Sequence, residues 1–88
     1  MIMKDWREFR GLTMAEAAAL LSIDHVGSYR RYETGENRPD APLAVRIRMV
    51  SDGHVTLDDL HRQRLEWLRE HRPEHLSAYP ELKMGAAE

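Results

Sequence analysis

The apolar positions of this chain recur at helical spacing and nowhere alternate with polar ones as in a strand, so the pattern predicts a string of short helices. Trp6 and Phe9, three apart, give Lys4 to Arg10 one apolar face, and Gly11 closes that segment. Thr13 followed three residues later by Glu16 has the form of a capping box. It opens a second helix, predicted to run to about Leu21, whose Ala15, Ala17, Ala18 and Ala19 favour helix and permit a close neighbour. After a polar break, Asp24 is the expected N-cap of a third helix over about Val26 to Thr34. Tyr29 and Tyr32 share its inner face as core residues, and Gly35 stops it. Asp40 is expected to cap a fourth helix near Ala41 to Ser51, with Pro42 tolerated in its first turn. The apolar set of that helix is Leu43, Ala44, Ile47 and Val50, and Asp52-Gly53 ends it. Thr56 caps a fifth helix whose period continues through His71, until Pro73. Its Leu57, Leu60, Leu65, Trp67 and Leu68 spread over two faces, which predicts contact on both sides. From Ser77 the chain carries Pro80 and Gly85 and is expected to be a loose, flexible tail.

The class is therefore all-α: five short helices plus a C-terminal helical extension. Residues 1–60 are expected to form one domain, 61–76 the extension and 77–88 the tail. With 88 residues there is room for one small domain. A domain this size buries about 60–65% of its unfolded surface, so a second chain can help complete its core. The absence of cysteine excludes disulfide scaffolds, thiol catalysis and Cys-ligated zinc. His71 and His75 lie four apart, but Pro73 breaks the helix that a zinc pair would need and no further ligands are evident, so no metal is expected. There is no nucleophile elbow, phosphate-binding glycine loop or paired carboxylates, so neither an enzyme, a cofactor nor a small-molecule substrate is expected. The first residues have no apolar run of a secretion signal, and the longest nearly uncharged stretch is far below a membrane span. The expected location is cytoplasmic, away from membranes.

The informative unit is Thr13 to Arg38. Two short helices joined by a tight turn, with small residues on the first, are what a helix-turn-helix requires. Ala17 and Ala18 allow a close crossing that Leu21, Ile23, Tyr29 and Tyr32 would lock. The outward face of the third helix then offers Ser28, Arg30, Arg31 and Thr34, side chains suited to base edges and phosphates.

Three groups of residues carry a family resemblance. These are Gly11-Leu12-Thr13-Met14-Ala15-Glu16-Ala17-Ala18, Leu20-Leu21-Ser22-Ile23, and Arg31-Tyr32-Glu33-Thr34-Gly35-Glu36-Asn37-Arg38-Pro39. In order and spacing they resemble the Cro/C1-type (Xre-like) helix-turn-helix of phage and bacterial repressors. Leu43 to Ile47 resembles that family's fourth helix, and Val55 to Leu60 its V-T-x-x-D-L segment. The resemblance spans about residues 4 to 60 and implies a lambda-repressor-like fold. It implies that the third helix enters the major groove of double-stranded DNA, with His25, Val26 and Ser28 near its start. Arg30 and Arg31 would read guanine or hold phosphate, and Thr34 would be a weaker polar contact. Asn37 and Arg38 would lie near the backbone, and the amide end of the second helix at Met14 on a phosphate. Glu33 would pair with Arg7 on the first helix as a structural ion pair.

Two departures stand out. Met14 replaces the family's usual glutamine. The turn from Ser22 to Ser28 is one residue longer than the common pattern, with Ser22 in place of its glycine.

The implied function is sequence-specific regulation of transcription, as a small repressor acting as a homodimer on a pseudo-palindromic operator. Leu65, Trp67 and Leu68 are the candidate dimer residues. The alternative class is a protein-interaction module, such as an antitoxin or adaptor that touches DNA weakly. A net charge of −2 argues at first against nucleic acid. Divided, the chain carries eight Lys/Arg against seven Asp/Glu over residues 1–50, a net of +1, and five against eight over 51–88, a net of −3. The acidic third is expected to lie away from a locally basic surface of Arg30, Arg31 and Arg38.

Overall fold

The computed structural model describes residues 1–76, and the tail expected from Ser77 lies outside the described residues. Five α-helices follow one another: α1 (Met3–Phe9), α2 (Met14–Leu20), α3 (Val26–Thr34), α4 (Ala41–Val50) and α5 (Leu57–His71). A 3₁₀ turn at Pro73–Leu76 follows α5, and no strand occurs among the described residues. None of these helices is long and apolar enough to cross a membrane.

Local chemistry sets most of the boundaries. The Thr13 hydroxyl accepts from the Glu16 amide at 3.1 Å, and the Glu16 carboxylate accepts from the Thr13 amide at 2.8 Å. Thr56 and Asp59 build the same reciprocal cap on α5. Asp40 accepts from the Leu43 amide at the start of α4. Gly11 and Gly35 take positive φ, +67° and +93°, where a side chain would be strained. Asp24 does not cap α3. His25 holds the N-cap position with extended backbone and no side-chain bond, because the helix begins one residue beyond the reach of Asp24.

The core is drawn from every helix: Met3, Trp6, Ala17, Ala18, Leu21, Tyr29, Ala44, Ile47, Val55 and Leu60. Phe9 is not part of it and is 71% exposed. Met3 and Trp6 define the inner face of α1. At about 100° per residue, Phe9 falls roughly 120° from Met3, while Arg7 turns inward instead. Of the two tyrosines, Tyr29 is fully buried and Tyr32 is half-buried at the edge of the core.

Residue 60 lies inside α5, so the chain has no break between 1–60 and 61–76. Gln63, just past that point, is buried. Its oxygen accepts from the Met3 amide at 2.7 Å and its nitrogen donates to the Tyr32 carbonyl at 3.0 Å. Arg64 donates to the carbonyls of Gly35 and Glu36. The extension is thus anchored to the ends of α1 and α3. Leu65, Trp67 and Leu68 are each half-buried within this one chain.

Candidate nucleic-acid interface

α3 is held from behind by a polar network. The Arg7 guanidinium donates to both Glu33 oxygens, from Nε at 2.7 Å and from Nη2 at 3.1 Å. The Tyr29 hydroxyl donates to Glu33 at 2.7 Å, and Arg7 also reaches the Leu12 carbonyl. The Glu33 side chain is 5% exposed. Its hydrogen bond raises the Arg7 pKa above the ordinary value against the opposing effect of burial. Burial, and then donation to Glu33, push the Tyr29 phenol far up, so both groups keep their protons throughout the working range. α3 therefore cannot roll about its axis without breaking a buried, bidentate ion pair.

With Tyr29 and Glu33 inward, Gly27, Arg30, Arg31 and Thr34 point outward. These four line one wall of a groove of about 580 Å³. Arg30 and Arg31 are exposed, and neither side chain has a hydrogen-bond or ion-pair partner among the described residues. Thr34 is already engaged at the helix end, where its hydroxyl donates to the Arg31 carbonyl at 3.2 Å. His25 and Val26 are exposed at the start of α3. Ser28 is half-buried and lines a second hollow with His25 and Arg46. The Met14 side chain packs against the core, and Thr13, Ala15 and Glu16 are exposed around it.

Two expectations change. Arg38 and Asn37 are exposed in the loop after α3, but Arg38 lines a separate hollow with Pro39, Leu57 and His61. Arg30 and Arg31 line a different groove. Nor does the acidic third lie away from the basic face. The second wall of the Arg30–Arg31 groove is Trp67, Glu70 and His71 of α5, with Glu36 at its end. The cause is the docking of α5 on Gly35. A Cβ there would collide with the Gln63 carbonyl, so the missing side chain lets α5 run closely past α3. Trp67 stacks on His71 with ring centroids 4.4 Å apart, and the Arg64 guanidinium sits 5.4 Å from the Trp67 ring centre.

Three contributors are absent from the sequence-based set. Arg46 donates to the Leu21 carbonyl at the end of α2 and borders the hollow beside His25 and Ser28. Gln63 and Arg64 fix α5 to α3. Gln63 falls three residues after Leu60 on the same face, which is a usable signal, whereas Arg46 and Arg64 look like any solvated arginine.

Compared with known proteins, the chain matches no family model, no curated protein and no solved structure.

Proposed function

We propose that this chain is a DNA-binding transcriptional regulator of the Cro/C1 kind, a small repressor that reads its operator with α3. In this reading α2 and α3 are the helix-turn-helix of a lambda-repressor-like domain, and two copies occupy a pseudo-palindrome. The observation that carries it is the outward face of α3. Two unpaired arginines stand on a helix whose opposite face is locked by Tyr29 and Glu33.

The physical fit is direct. A nine-residue helix is about 13 Å long and presents one face to a major groove about 12 Å wide. An unpaired guanidinium forms two parallel hydrogen bonds to guanine O6 and N7, or holds a phosphate. Exposed Val26 suits a thymine methyl, and His25 and Ser28 supply polar contacts beside it. Locking α3 in advance lowers the ordering cost of binding.

Selection of bound sequences from a random DNA pool tests this. The expected result is a palindromic motif, bound with a steep salt dependence. Arg31→Ala should cost roughly 1–3 kcal/mol of affinity and relax preference at one position per half-site. If no sequence survives competitor DNA at moderate salt, the repressor reading fails and the face belongs to a protein partner.

A further inference from the structure

We infer that Gly27 sets how deeply α3 seats against DNA, because the side chain it lacks leaves the helix main chain bare where a base-pair edge comes closest. The inference rests on the reading of α3 as the helix that enters DNA. Gly27 is the second residue of α3 and has ordinary helical backbone, whereas Gly11, Gly35 and Gly53 take positive φ. Glycine within a helix is less favourable than alanine, so its presence calls for a reason. Packing within the chain does not supply one. A Cβ built at Gly27 meets nothing within 4 Å, while one at Gly35 collides with the Gln63 carbonyl. A missing side chain that serves neither backbone conformation nor internal packing makes room for something outside the chain.

Its place in the helix says what that is. Gly27, Arg30, Arg31 and Thr34 follow one another at spacings of three, one and three, which puts them on one stripe of α3, and all four are exposed. They share one wall of the groove, and Gly27 holds its N-terminal end. In helix-turn-helix docking the N-terminal residues of the reading helix are the ones that meet base edges. A helix about 10–12 Å across with its side chains fills a major groove about 12 Å wide, so little slack remains. A side chain at position 27 would touch the bases before Arg30 and Arg31 do and hold the helix off. With hydrogen there, the bases reach the main chain and both guanidinium groups reach further in. Gly27 is therefore a positioning residue that acts through the two arginines.

The test pairs stability with binding, using the full chain and the duplex that the wild type selects from a random pool. Gly27→Ala should raise the urea midpoint, because alanine favours helix and the space is open. The same variant should bind the selected duplex at least about fivefold more weakly, the low end for overpacking a close contact. Gly27→Leu should weaken binding further with helical circular dichroism unchanged. In that background Arg31→Ala should lose much less affinity than it does in the wild type, since the arginine no longer reaches its partner. Equal or tighter binding by Gly27→Ala overturns the inference. So does a joint loss of stability and binding, which would make the glycine structural, or a full Arg31→Ala loss on top of Gly27→Leu. A wild type that selects no sequence fails one step earlier, at the proposed function, and takes the inference with it.

Discussion

Ser22 sits in the turn between α2 and α3 with φ +58°, in the left-handed region. For an ordinary L-residue that conformation costs roughly 1–2 kcal/mol, and glycine avoids it at an entropic cost of about 0.5–1 kcal/mol. The Ser22 side chain makes no hydrogen bond among the described residues, and the hydrogen bond from its amide to the Ala19 carbonyl does not depend on the side chain. Ser22→Gly should therefore stabilise the chain by about 0.5–1 kcal/mol in urea unfolding. A loss of stability would show that the serine is doing something else in the turn. Asp52, at φ +54°, should gain less from the same change, because aspartate tolerates this region better. The Arg7–Glu33–Tyr29 network allows a sharper comparison. Arg7→Ala leaves a buried carboxylate without its cation and should cost roughly 3–5 kcal/mol. Tyr29→Phe removes one donor while the ion pair remains, and should cost about 1.5–3 kcal/mol. Denaturant melts that reverse this order would mean that Tyr29, not Arg7, holds Glu33 in place.

The helices were legible in the sequence where their ends are written locally. Thr13 with Glu16, Gly35, Asp40 and Thr56 each act within four residues, and each stands where the pattern puts it. What stayed hidden depends on which side an element docks. Phe9 reads as the partner of Trp6 until the inward turn of Arg7 fixes the face of α1. The path of α5 was only partly legible: Gln63 continues the face of Leu60, but Arg64 reads as a solvated arginine, and the partners of both are main-chain groups about thirty to sixty residues away. The same docking makes Gly35 sensitive. Gly35→Ala adds left-handed strain and a collision with the backbone of α5, so a loss of roughly 2–4 kcal/mol is expected in chemical denaturation. Little change would mean that α5 is free to lift from α3. At its other end, burial alone would raise the Asp59 pKa, but bonds from the Met1 amino group and Thr56 outweigh it and hold the carboxyl below its ordinary value. A carboxylate with a lowered folded pKa stabilises the fold at pH above its unfolded value of about 3.9, and loses that contribution as pH falls through the folded pKa. The acid limb of a melting-temperature profile should therefore be shallower in Asp59→Asn than in the wild type.

Across the molecule, the net charge of −2 is less informative than where the charges meet. The last turn of α5 faces the outward side of α3 across one groove, with Glu70 and Glu36 on the same surface as Arg30 and Arg31. These charges form no ion pair, so the arginines remain available while the carboxylates lower the positive potential around them. A phosphate approaching Arg30 or Arg31 would then meet two opposing fields. Two unit charges about 8 Å apart in water interact by roughly 0.5 kcal/mol, about a twofold change in affinity, and less at higher salt. If α3 reads DNA as proposed, Glu70→Gln should therefore tighten binding about two- to threefold at low ionic strength. The gain should be equal for operator and unrelated sequences, because a field acting on phosphates carries no base information. It should also fade as salt rises toward the physiological range. Titrations of both DNAs at two salt concentrations separate the outcomes. A gain confined to the operator would place Glu70 near a base edge, and no gain at low salt would mean that α5 swings clear of the groove when DNA enters.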